Sequence, residues 1–70
     1  MASEAGAEDV LGAVGIVTLA IPAGKPGEVV LRVRGGTEAF AAWADQPVAK
    51  GVKVVVVDHT TARSVQVTPL

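Results

Sequence analysis

The chain has 70 residues, of which 50% are hydrophobic, 19% charged and 3% aromatic, with a formal net charge of −1 and no cysteine. That is at most one small domain with no disulfide to staple it, and a single His without Cys excludes a zinc cluster. A charge near zero, with no run of Lys or Arg, excludes a strongly electrostatic grip on nucleic acid. The apolar half holds 14 Val and 12 Ala. Val is β-branched and suits the pleated surface of a strand, so composition alone favours an all-β fold.

Residues Met1 to Asp9 are small, acidic and aperiodic, which reads as a flexible N-terminal segment ahead of a barrel domain over 10–70. The longest uncharged stretch, Val10 to Gly24, has 15 residues and is interrupted by Gly12, Gly15 and Pro22. A spanning helix needs about 20 apolar residues, and acidic Glu4, Glu8 and Asp9 are the wrong flank for a signal peptide. The chain therefore reads as soluble, with no membrane span.

Val14 to Ile21 is a nearly continuous apolar strand, ended by Pro22 and followed by a loop carrying Gly24, Pro26 and Gly27. Glu28 to Arg34 alternates, with Val29, Leu31 and Val33 on one face and Glu28, Val30, Arg32 and Arg34 on the other. Gly35-Gly36 is a two-residue hairpin signal. Used as the loop, it pairs Arg34 with Thr37, Val33 with Glu38, Leu31 with Phe40 and Val29 with Ala42. Phe40 then faces inward, and Trp43 faces outward across from Glu28.

Asp45 to Gly51 reads as a wider connection, and Val52 to Val57, five Val and one Lys, as the strongest strand. Asp58-His59-Thr60-Thr61 reads as a solvated turn before a last alternating strand, Arg63 to Thr68. Five strands in this spacing predict a small closed barrel of the OB type, since closure hides edges that so many Val residues would expose. Its expected interior is Val29, Leu31, Val33, Phe40, Ala42, Val54, Val56, Val65 and Val67. Val55 and Val57 point outward, and are expected to be covered by local chain.

The small residues fall in a recognisable order. Leu11-Gly12, Gly15, Thr18, Ile21-Pro22 and Gly27 are followed by Gly36, Phe40, Ala42, Val48, Gly51, Val54, and Val65-x-Val67-x-Pro69-Leu70. The pattern, over about 60 residues from Glu8 onward, resembles the C-terminal soluble domain of the NfeD-like (nodulation-efficiency protein) family. The resemblance implies an OB-fold interaction module, membrane-associated in the family, that acts beside stomatin- or flotillin-type membrane proteins. In that family the barrel normally follows transmembrane helices, and longer members also carry a serine-protease domain ahead of it; this sequence shows neither. Two further departures are Phe40 at a position usually Tyr, and Gly35-Gly36 in place of a longer turn.

No catalytic, cofactor or metal site is expected. Neither serine, Ser3 or Ser64, sits in a G-x-S-x-G elbow, and adjacent strand residues such as Asp58 and His59 point apart. Gly24-Lys25-Pro26-Gly27 lacks the following Ser/Thr and helix of a phosphate loop. The candidate partner-binding residues are Val30, Arg32, Arg34, Ala41 and Trp43 on the outer face of the first hairpin. Trp and Arg together are typical of interface hot spots, though a Trp there also suits a purely structural role in closing a barrel end. Two other readings stand beside the interaction module. One is a small single-stranded nucleic-acid-binding OB domain, which a single stacking ring and no net positive charge argue against. The other is a structural or homo-oligomerisation barrel.

Overall fold

The computed structural model describes residues 10–33, 35–61 and 63–70. Five strands, β1 (Val14–Leu19), β2 (Gly27–Val33), β3 (Gly36–Trp43), β4 (Lys53–Thr61) and β5 (Ser64–Pro69), close a barrel in the order β1-β2-β3-β5-β4. Every neighbouring pair is antiparallel except β3 with β5, which run parallel through Ala41–Ser64, Ala42–Val65 and Trp43–Gln66. The expected all-β, five-stranded OB-like barrel is therefore the fold.

Alternation sets which residues fill it. Val17, Val29, Leu31, Phe40, Ala42, Val54, Val56, Val65 and Val67 all point inward and are buried. Eight of the nine expected interior residues are in that set. Val33, the ninth, is only partly buried, packing against the core from near the hairpin tip. Three further core residues lie outside the strands: Val10, Ile21 and Val48. Ile21 and Val48 exchange backbone hydrogen bonds of 2.8 and 2.9 Å, which close one end of the barrel. Val10 is buried beside a turn fastened to β4, where the Gly12 N–H donates to the Val56 carbonyl and the Val56 N–H to the Ala13 carbonyl.

Close approach of β1 and β2 depends on Gly15. A Cβ there would lie 2.2 Å from the Val30 carbonyl oxygen and 2.8 Å from Leu31 Cδ2, so no side chain fits without moving backbone. A bulge at Thr18 follows, where the register shifts between Val17 and Leu19. The Thr18 hydroxyl donates to Glu28 Oε1 at 2.7 Å and lies 3.2 Å from the Glu28 carbonyl oxygen.

Three expectations need correction. The first hairpin closes at Val33–Gly36, and the ladder continues through Leu31–Glu38 and Val29–Phe40, two positions away from the expected register. Gly35 takes the positive φ of 77°, while Gly36 is already strand. A slip of two preserves the parity of every side chain, so Phe40 still faces the core. Secondly, Asp58 to Thr61 is not a turn but the continuation of β4, paired with β5 through two further register shifts. Bulges in this strand absorb the extra residues and leave His59 half-buried opposite Val65. Thirdly, Val57 falls at the first of these shifts and is 53% exposed, whereas Val55 is half-buried. The flexible segment expected over residues 1–9 lies outside the described residues.

Candidate interaction surface

The outer faces of β1, β2 and β4 lie side by side because β1 pairs with both neighbours. Ile16 is opposite Val30 on β2 and opposite Lys53 on β4. Val14, two residues earlier, is opposite Val55 on β4, and the same register sets Arg32 of β2 on its other side. Two cross-strand rows result, Lys53-Ile16-Val30 and Val55-Val14-Arg32. In both, apolar side chains project outward: Val14 is 39% and Ile16 41% exposed, while Val30 and Val55 are half-buried. A shallow groove of about 400 Å³ runs over this strip, bordered by Arg32, Thr37 and Lys53.

Of the five residues singled out in the sequence, Val30 and Arg32 lie on this strip. Ala41 is exposed and pairs with Glu28, not with Val30, because of the shifted register. Trp43 is half-buried, lies beyond the end of the β2–β3 ladder, and pairs with Gln66 of β5. Trp43 and Arg32 thus sit near opposite ends of the hairpin, since Arg32 pairs with Thr37 six residues before Trp43. At about 3.4 Å per residue that is on the order of 20 Å along β3. Arg34 lies outside the described residues. Val14, Ile16, Lys53 and Val55 complete the strip and are not among the expected contacts. The signal for Val14 and Ile16 is the Val-Gly-Ile-Val order of β1, in which Gly15 and Val17 take the inner positions and leave those two outside.

The remaining polar clusters among the described residues are small groups of hydrogen-bonded surface side chains. The Ser64 hydroxyl is shared with those of Thr60, at 2.6 Å, and Thr61, at 2.9 Å. The His59 backbone N–H donates to Asp58 Oδ1 at 2.8 Å. Among the described residues no group of three His, Cys, Asp or Glu is placed to hold a metal ion. A second depression, about 650 Å³, lies between the 44–47 segment and β4–β5, where Gln66 Nε2 donates to Asp45 Oδ1 at 3.3 Å. No helix among the described residues is long and apolar enough to cross a membrane.

The closed five-stranded barrel defines the class, a small OB-like β-barrel domain, here with an apolar, cation-bordered strip on its outer sheet. Residues 14–68 match the family model of the NfeD C-terminal domain, and the chain belongs to that family. It is similar to the soluble domain of the NfeD protein YuaF from Bacillus subtilis, determined in solution, with 37% identity and a TM-score of 0.79. That match covers 97% of this chain and 86% of the other. It is also similar to the C-terminal domain of stomatin operon partner protein 1510-C from Pyrococcus horikoshii, with 29% identity and a TM-score of 0.64 over 90% of this chain and 91% of that one. No curated protein matches the chain.

Proposed function

We propose that this domain is the docking module of an NfeD-type membrane-associated protein, and that it engages a membrane protein of the stomatin or flotillin type. The relationship to a stomatin operon partner protein supports the choice of partner class. The observation that carries the reading is the outward row of Ile16 and Val30 on a barrel whose interior is already filled. Apolar side chains on the outer face of a closed sheet add nothing to the core, and contiguous ones mark interaction sites. The proposed contact face is the strip of Val14, Ile16, Val30 and Val55 with Arg32 and Lys53, so that Val30 and Arg32 belong to it while Ala41 and Trp43 lie toward the other end of the hairpin.

Nothing in the geometry favours the nucleic-acid reading. Its one stacking ring, Trp43, is half-buried and far along the hairpin from Arg32. The experiment is direct binding of the purified chain to a stomatin-type protein in nanodiscs, comparing wild type with Val30→Asp. Association that falls at least about ten-fold, with an unchanged melt, supports the module. Absence of association by the wild-type chain removes the partner assignment.

A further inference from the structure

The chemistry of the occupant is written in the two cations that border the strip. Lys53 ends one cross-strand row on β4 and Arg32 ends the next on β2, so they stand at opposite corners of a patch whose centre is Val14, Ile16, Val30 and Val55. Two strand steps and two residues along the strand put their Cα atoms about 12 Å apart. Of the neighbouring acids, one keeps its charge at the edge of the patch beyond Val30 and the other is ion-paired. The Glu28 carboxylate, on the same outer face, accepts the Thr18 hydroxyl at 2.7 Å, and that of Glu38 lies 3.6 Å from Arg63. The patch is therefore apolar in the middle and positive at two corners.

From this charge pattern we propose that the strip docks an amphipathic helix of a partner protein, with an apolar face and two carboxylates two turns apart that pair with Arg32 and Lys53. Residues seven apart on a helix lie about 10.5 Å from one another on nearly the same face, which matches the separation of the cations. A second copy of the chain fits less well. Its strip carries the same two cations and no carboxylate to pair with them. The inference rests on the docking-module reading and adds the chemical character of what is docked.

The test uses two synthetic helical peptides with the same leucine face, one carrying Glu and the other Lys at positions i and i+7. Each is titrated into the full chain, labelled with ¹⁵N and followed by its amide resonances. The Glu peptide should shift Val14, Ile16, Val30 and Val55 and bind at least about ten-fold tighter than the Lys peptide. The double variant Arg32→Glu/Lys53→Glu, at two exposed positions, should melt like wild type and reverse that preference. Equal affinity for the two peptides overturns the proposal. So do shifts centred on Trp43 or on the Asp45–Gln66 depression, self-association through this strip, or binding to phosphatidylserine vesicles without binding to the Glu peptide. Capture of a stomatin-type protein that persists in the double variant overturns this inference and leaves the docking-module reading standing. Selective binding of the Glu peptide by a chain that captures no stomatin-type protein supports the inference and removes the partner assignment.

Discussion

Replacing Gly15 with Ala should destabilise the barrel, although the same change usually helps in a strand. Ala restricts the unfolded chain more than Gly, and at a compatible site that stabilises by about 0.4–1 kcal/mol. At Gly15 the added Cβ would stand 2.2 Å from the Val30 carbonyl oxygen, 3.0 Å from its carbon and 2.8 Å from Leu31 Cδ2. Leu31 is fully buried and the Val30 oxygen is backbone, so relief requires β1 and β2 to separate by about 1 Å within an already closed ring. Overpacking of this kind costs about 1–3 kcal/mol after the entropic gain is overcome. A chain of this size has roughly 4–10 kcal/mol of total stability, so the loss is substantial. At about 4–8 °C per kcal/mol, the melting temperature should fall by roughly 5–20 °C. Gly36→Ala supplies the control. Nothing lies within 4 Å of its virtual Cβ and its φ is not positive, so that variant should melt at or slightly above wild type. Both are read by circular dichroism during a thermal scan. A Gly15→Ala variant as stable as Gly36→Ala would refute the close approach of β1 to β2.

Phe40→Ala should cost about 3–5 kcal/mol, a large share of the total stability, because the residue is 6% exposed within the core; a cooperative melt within a few degrees of wild type would contradict the inward orientation of Phe40. Thr18→Val keeps the shape but removes the hydroxyl that donates to Glu28, and should lower stability by about 1 kcal/mol, read as a lower denaturation midpoint with an unchanged m-value. His59→Ala should shift stability by less than about 1 kcal/mol and leave partner binding intact, since the side chain is half-buried away from the strip. Trp43 emission and its quenching by acrylamide should stay essentially unchanged when a stomatin-type partner binds, since Trp43 lies beyond the far end of the β2–β3 ladder from Arg32; a blue shift with reduced quenching would move the contact to that end of the hairpin.

Side-chain parity is legible in the sequence because the strands alternate so plainly, and the interior at Val29, Leu31, Phe40, Val54 and Val65 follows from it. Register is less legible. Arg34-Gly35-Gly36 offers two placements for a two-residue loop, and only backbone geometry, the positive φ at Gly35 with Gly36 in β3, chooses between them. Because the alternatives differ by two, the choice displaces every cross-strand neighbour without turning any residue over. Bulges leave no composition signal either. The polar run Asp58 to Thr61 has the chemistry of a turn, yet it pairs with β5 once the shifts after Val56 and His59 are admitted. Val10, Ile21 and Val48 escape a reading by periodicity because they come from connections, where no period marks them as core. Four of the six residues of the candidate surface are hidden for a related reason. Val30 and Arg32 can be read from one hairpin, but Val14 and Ile16 join them through the pairing of β1 with β2, and Lys53 and Val55 only through barrel closure, which sets β4 on the other side of β1.

Docking of a protein partner on the outer strip is tested most directly by mapping amide shifts and line broadening of the labelled chain against a stomatin-type protein in nanodiscs. Changes should concentrate on Val14, Ile16, Val30, Arg32, Lys53 and Val55, with Val65 and Val67 of the interior unmoved. Changes centred instead on Asp45, Gln66 and Thr68, or no change at partner concentrations that saturate other probes of binding, would contradict it.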